Sequence, residues 1–384
     1  MNLNDFEKKY YVDRRKSLSI KWKKGKELDC LPVWIADMDF KVDERIIDSL
    51  NKVISHGAYG YSTLPEDYYD KMIAFNQRRH NVTYKKDWIR FSRGAVDGIN
   101  QCIRTFTKEK DGIMINPPVY GPFAQTIRDC NRTVIESKMV ETDGYFTLDY
   151  KDIEKKFAKG NVKMLILCTP ANPAGRVWKK GELEALFELT HKYHVLVLSD
   201  EVHGDIIMKD QEFYPSLTFK KYEKEIITLS AVSKTFNLAM FANCHVIIPC
   251  ARKRAMFDKY QALRHIGSPL VMNALPSYYA YQYGDEWLDN VIDIIQANYN
   301  YMKEKLGSYV SFTALEGTYL AFIDLKNICG KSTGYDFLVS KCHVLPNNGA
   351  DFDKKYGSYV RINLATSRAN IKKVCDSILK QIKG

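Results

Sequence analysis

The chain has 384 residues, 45% of them hydrophobic, enough for a large core and, at roughly 100–200 residues per domain, for two domains. Its formal net charge is +11, but the basic residues are spread thinly and no helix-turn-helix, zinc-finger or RNA-recognition pattern accompanies them, which argues against a nucleic-acid partner. Nine cysteines include no Cys-x-x-Cys and no metal spacing, so reduced thiols in a cytoplasmic protein are expected; no run of about 18 apolar residues and no signal-peptide core is present, so neither a membrane span nor export is expected.

Residues 1–30 are charged and lack clear periodicity, and they read as an arm lying on another surface. Their basic cluster from Arg14 to Lys26 reads as solvated surface. Leu31-Pro-Val-Trp-Ile-Ala-Asp-Met-Asp-Phe40 turns apolar, is too short for a helix of its own, and is expected to be extended near a site. From Asp43 to Ile54 the apolar residues Ile46, Ile47, Leu50, Val53 and Ile54 share one helical face. Between about 90 and 250, short apolar runs alternate with amphipathic stretches. Strands are predicted at 113–115, 133–135, 164–167, 195–198, 226–229 and 245–248, with helices at 96–107, 123–130, 180–193 and 252–263. This alternation predicts an α/β fold with a mostly parallel sheet covered on both faces, which binds ligands beyond the strands' carboxyl ends. One long helical stretch over about 275–305 follows. Strands at 319–325 and 359–364, a helix at 335–340 and another from Arg368 then suggest a smaller α+β domain. The expected division is 1–45 as arm and part of the small domain, 46–285 as the large domain and 286–384 as the small C-terminal domain.

The residues able to do chemistry gather at strand ends. Lys234, after Ser233, follows the buried run 225–228, and a lysine there is costly unless its amine is used. Asp200 stands where the apolar run 195–198 stops. A buried carboxylate needs a cationic partner, for which a protonated pyridine nitrogen is one candidate. His203 lies three residues on. Asn172 sits between Pro170 and Pro173, which stiffen its backbone. Arg93-Gly-Ala-Val-Asp-Gly98 is a small-residue entry to a helix, where the N–H groups of Gly94, Ala95 and Val96 and the helix dipole can bind a phosphate. Tyr120 follows two prolines and can stack on a flat ring, and Tyr61 sits on a glycine-rich loop. Arg361 interrupts an apolar strand and calls for a carboxylate held bidentately. Singly, each also fits an ordinary role: a loop lysine, a capping aspartate, a turn asparagine, a structural histidine, a plain turn. Together they match what pyridoxal 5′-phosphate (PLP) and an amino acid require.

Seven blocks carry a closer resemblance: Leu31–Phe40, Pro118-Val-Tyr-Gly-Pro-Phe123, Asn172-Pro-Ala-Gly-Arg-Val-Trp178, Ser199-Asp-Glu-Val-His203, Ser233-Lys-Thr-Phe-Asn237, Thr318-Tyr-Leu320 and Arg361-Ile-Asn363. Through them nearly the whole chain resembles the fold-type-I PLP enzymes of the aspartate-aminotransferase superfamily and, within it, the MalY/PatB-type C–S lyases, commonly described as cystathionine β-lyases. The resemblance implies an aspartate-aminotransferase-like fold with a seven-stranded-type sheet. It implies that Lys234 bonds PLP covalently and serves as proton shuttle, that Asp200 pairs with the pyridine N–H, and that Asn172, with His203 nearby, meets the ring's O3′. Tyr120 would stack on the ring. Gly94, Ala95, Val96 and Ser233 would hold the phosphate, and Tyr61 would reach it across a homodimer interface. Arg361, helped by backbone around Ala36, would hold the substrate carboxylate.

The chain departs from this pattern at Ala171, where the lyases usually carry His, and at Met240-Phe-Ala242. Related aminotransferases often place an Arg at the position of Ala242, so weaker phosphate retention is expected, and Met240 is expected to crowd the pocket. The implied reaction is β-elimination on cystathionine or a related S-substituted cysteine. An aminotransferase using the same residues is the alternative, and a PLP-fold regulatory binding protein is the third reading.

Overall fold

The computed structural model describes residues 1–383. At its centre is a seven-stranded sheet in the order Ile89–Ser92, Cys244–Ile247, Ile226–Ser230, Leu196–Asp200, Val162–Cys168, Gly112–Ile115 and Thr133–Glu136. Cys244–Ile247 runs antiparallel to both of its neighbours, and the other strands are mutually parallel. The inner strands are continuous apolar runs such as Met164-Leu-Ile-Leu167, with side chains buried on both faces. That pattern is what a sheet covered on two sides demands. Helices Ala95–Phe106, Pro122–Asp129 and Lys180–Lys192 link successive strands, and Ala251–Ala262 follows the last of them. Register aligns Cys168 with Asp200 and Asp200 with Leu229, so the turns bearing Asn172, Asp200 and Lys234 leave one edge of the sheet. Ile89–Ser92 points the same way and delivers Arg93 and Gly94 to that edge.

A second, antiparallel sheet joins Ser311–Phe312, Leu320–Asp324, Tyr359–Asn363 and Asn347–Asn348. Leu31–Pro32 pairs in parallel with Val344–Leu345, so the expected extended segment holds at its start, but the chain bends at Ile35 and Ala36, where the Asp37 N–H bonds the Ile35 carbonyl at 2.9 Å.

Four expectations need correction. Residues 1–30 contain two helices, Leu3–Tyr10 and Ile20–Glu27, N-capped by Asn2 and Ser19. Helices this short are marginal alone, and the first is held by burying Phe6 and Tyr10 against Phe40 and Trp287. The basic cluster is not all solvated: Lys21 is buried, with Nζ 2.8 Å from Asp39 and 3.2 Å from Asp37. The helical stretch over 275–305 is two helices, Val271–Tyr283 and Asp285–Leu306, meeting at Gly284, where a Cβ would collide with the Phe236 ring. The strand Ile89–Ser92 was not foreseen. It lies at the sheet edge, and Arg90 breaks its apolar run. Among the described residues no helix is long and apolar enough to cross a membrane, and the nine cysteines form no disulfide.

Candidate active site

A cavity of about 500 Å³ opens at the carboxyl edge of the large sheet, with the bend at 34–36 forming part of its wall. Gly94, Ala95, Val96, Tyr120, Asn172 and Asp200 line it, as do His203, Ser233, Lys234, Arg361 and Ala36. Of the residues given a cofactor or substrate role from the sequence, Tyr61 alone lies elsewhere, fully exposed in a separate apolar groove with Tyr59, Leu270 and Met272.

Lys234 stands at the centre. Its Nζ donates to the Ala36 carbonyl at 2.8 Å. Burial, together with the charge of Arg361, pushes its pKa down to about 8, so an appreciable fraction is neutral and nucleophilic near neutrality. The loop carrying it is braced from behind. Thr235 Oγ1 donates to Asp205 at 2.6 Å, and Asp205 is held at 2.5 Å by His80 Nε2.

Asp200 and Glu201 are adjacent carboxylates with opposite surroundings. Both are buried, and burial raises their pKa values to about 6 and about 7. Glu201 faces the interior and accepts hydrogen bonds from Ser199 Oγ at 2.9 Å and the Ser216 N–H at 2.8 Å. Asp200 faces the cavity, accepts only the Val202 N–H at 3.2 Å, and has no cation paired with it among the described residues. Glu201 is therefore a satisfied structural acid, while Asp200 is a buried carboxylate still lacking a cationic partner.

Arg361 is the mirror case. It is 4% exposed, and burial pushes its pKa down to about 10. Its Nη1 donates to Asn172 Oδ1 at 2.9 Å and its Nη2 to the Trp34 carbonyl at 3.1 Å and to Asn347 Oδ1. These partners are neutral, and Nε has none. His203 is kept neutral, its pKa pushed down to about 3 by burial and the nearby cations, and its Nδ1 is unpartnered. Tyr120 is half-buried with its ring edge-on to Phe123 at 5.7 Å.

At the far end of the cavity, Gly94 precedes the helix Ala95–Phe106 with φ of +100°, which favours glycine, and no side chain caps the first N–H groups. The set fits a flat heterocycle with a protonatable nitrogen at Asp200, an aldehyde at Lys234 and an anionic group at the helix end. It leaves Arg361 for a carboxylate.

Sequence reasoning missed Asn347, Arg93 and Asn243, which also line the cavity, and two asparagines that pin its wall. Asn363 Nδ2 donates to the carbonyls of Ile35 (2.7 Å) and Asp37 (2.5 Å), and the Asn237 side chain clasps Met38 from the other side. Both asparagines stand in the quoted Asn-containing blocks, the only signal available. Asn347 offered none, since it meets Arg361 through sheet register. Met240 does not crowd the pocket: it is 87% exposed, because the turn Ala239–Phe241 carries its side chain outward.

The profile of the family described as aminotransferase class I and II matches residues 37–378. The chain belongs to this family. Within it, the chain is 31% identical to cystathionine beta-lyase PatB of Bacillus subtilis (strain 168), over 94% of this chain and 95% of that one. Cystalysin from Treponema denticola, whose crystal structure contains a pyridoxal 5′-phosphate cofactor, superposes with a TM-score of 0.92 at 30% identity, covering 97% of each chain. The PLP-bound C–S lyase from Staphylococcus hominis superposes equally well, TM-score 0.92, at 25% identity over 100% of this chain and 98% of that one.

Proposed function

We propose that this chain is a PLP-dependent carbon–sulfur β-lyase that cleaves cystathionine or related S-substituted L-cysteines to a thiol, pyruvate and ammonia. The observation that carries the reading is that the two buried charges around the Lys234 amine form no ion pair within the chain: Asp200 feels only the longer-range attraction of Lys234, and Arg361 hydrogen-bonds only neutral groups. Burying either without a partner is unfavourable by several kcal/mol at most sites, so each is matched to a group the ligands bring.

Bound there, PLP supplies an electron sink for negative charge developing at the substrate Cα. Lys234 would hold the cofactor through its amine and would take the substrate Cα proton on Nζ; its lowered pKa suits both tasks. Asp200 would pair with the ring nitrogen and favour its protonated form, Tyr120 would cover a ring face, and Asn172 and His203 would meet the ring oxygen. Gly94, Ala95, Val96 and Ser233 would hold the phosphate. Arg361 fixes the substrate carboxylate against Asn172, Asn347 and the backbone of segment 34–36, which orients the Cα–H bond. Elimination of a thiolate from Cβ distinguishes this reaction from transamination. Support for elimination comes from the lyases among the relatives, and an aminotransferase on the same residues is the competing reading.

The chain would work as a homodimer. Tyr61 is remote from its own cavity, and its exposed apolar groove supports a second copy there that receives Tyr61 at its phosphate site. The nine unpaired thiols support a reducing, cytoplasmic setting. The test is to incubate purified protein and PLP with L-cystathionine and with S-alkyl cysteines, measuring pyruvate and, separately, amino-group transfer to 2-oxoglutarate. Pyruvate without transfer is expected; transfer without pyruvate would replace the lyase by the aminotransferase.

A further inference from the structure

Three cations line the cavity: Lys234, Arg361 and Arg93. The first two are engaged, Lys234 with the Ala36 carbonyl and Arg361 with Asn172, Asn347 and Trp34. The Arg93 guanidinium makes no hydrogen bond or ion pair among the described residues; only its backbone N–H is bonded, to Asp97 Oδ2 at 2.8 Å. It leaves the end of strand Ile89–Ser92 immediately before Gly94, at the uncapped start of the helix Ala95–Phe106. Ala242 sits beside it: both line the main cavity and a small niche next to it, where Asn243 is anchored to Tyr68 and Ser277.

The charge balance at this end is short by about one unit. A phosphate monoester carries roughly −1.5 to −2 at neutral pH. A helix N-terminus offers about +0.5, and Ser233 adds a neutral hydroxyl. Asp97, which accepts from the Arg93 N–H and from Gln101 Nε2 at 2.8 Å, holds the loop in shape but brings a negative charge. Ala242 contributes no cation. Arg93 is the one free positive side chain at that end, and its planar fork suits a phosphate oxygen pair.

We propose that Arg93 is the cationic clamp for the cofactor phosphate in this chain, supplying the charge that Ala242 lacks. This rests on the PLP reading above. It makes phosphate retention a property of the strand-to-helix loop instead of the loop that carries Lys234. Weaker holding of the cofactor is then not the consequence of Ala242.

The test compares PLP with pyridoxal, which has the aldehyde and ring but no phosphate. Cofactor-stripped wild type, Arg93→Ala, Arg93→Gln and Arg93→Lys are titrated with each, following absorbance. The two neutral variants are expected to weaken PLP about 10–100-fold and to leave pyridoxal binding unchanged, with Arg93→Lys in between. Added salt should weaken PLP more in wild type than in the neutral variants. Unchanged PLP affinity in both neutral variants overturns the proposal, and so does an equal loss for the two ligands, which marks a structural role. Failure of wild type to bind either ligand, or binding that persists in Lys234→Ala with the same absorbance, defeats the cofactor reading itself and is distinguishable from both.

Discussion

The two ends of the cavity are built differently. Around Arg361 the partners of both terminal nitrogens are in place before any ligand arrives: Asn172, Asn347 and the Trp34 carbonyl hold the guanidinium, leaving only Nε unpartnered, and Asn363 and Asn237 hold the backbone beside it. At the helix start, by contrast, the N–H groups of residues 95 and 96 are uncapped, Val96 and Arg93 are exposed, and the guanidinium is unpaired. One end is pre-organised, and the other is open to solvent. On the proposed reading, the first arrangement would give selectivity for a carboxylate and the second would close around the cofactor's anion.

The largest effect is expected where both ends converge. Lys234→Ala should lower pyruvate formation from an S-substituted cysteine by about 10³-fold or more, measured at saturating PLP. Next, Arg361→Ala should lower kcat/KM by about 10²–10³-fold, and Arg361→Lys should recover little, because a point charge cannot replace a fork with three fixed acceptors. If Arg361→Lys recovers as much as Arg93→Lys, the two ends are not different in kind.

A stability measurement sharpens the same contrast. The Asp200 pKa, about 6, lies above the ordinary carboxylate value of 3.8, so the ligand-free fold binds this proton more tightly than the unfolded chain does. The stability this proton gives is fully present below about pH 4 and is lost as pH rises through about 6. Asp200→Asn should therefore stabilise the cofactor-free protein by about 1–3 kcal/mol at pH 7.5, and the gain should fade towards pH 4. Urea unfolding at the two pH values checks this, with the same substitution lowering activity. The smallest effect belongs to Met240→Gly at the exposed turn, expected to change stability by no more than about 0.5 kcal/mol and to leave kcat/KM unaltered.

Much of this was legible in the residues. Continuous apolar runs such as 164–167 and 226–229 read as central strands because a sheet covered on both faces leaves no alternation to obscure them. Asp200, Asn172 and Lys234 could be picked out because each interrupts or ends such a run. What stayed hidden depended on tertiary pairing. The helix Leu3–Tyr10 is a short one whose apolar face, Leu3, Phe6 and Tyr10, spans barely two turns, and it is held by Trp287, far along the chain. Lys21 looked like one of a basic series until Asp37 and Asp39 folded over it. Asn347 joins Arg361 through strand register, which no local pattern announces. Arg93 stood in a quoted motif, yet only the backbone of that motif had been given a task. Tyr61 was assigned a place that a single chain does not provide.

The central claim is that the Lys234 amine is the covalent seat of the cofactor. It is tested most directly by treating the protein with PLP, reducing with borohydride, digesting, and finding the modified peptide by mass spectrometry. The structure predicts a single stoichiometric phosphopyridoxyl group on the peptide containing Ser233-Lys234-Thr235, absent from Lys234→Ala. Labelling scattered over surface lysines, or equal labelling of the variant, would contradict it.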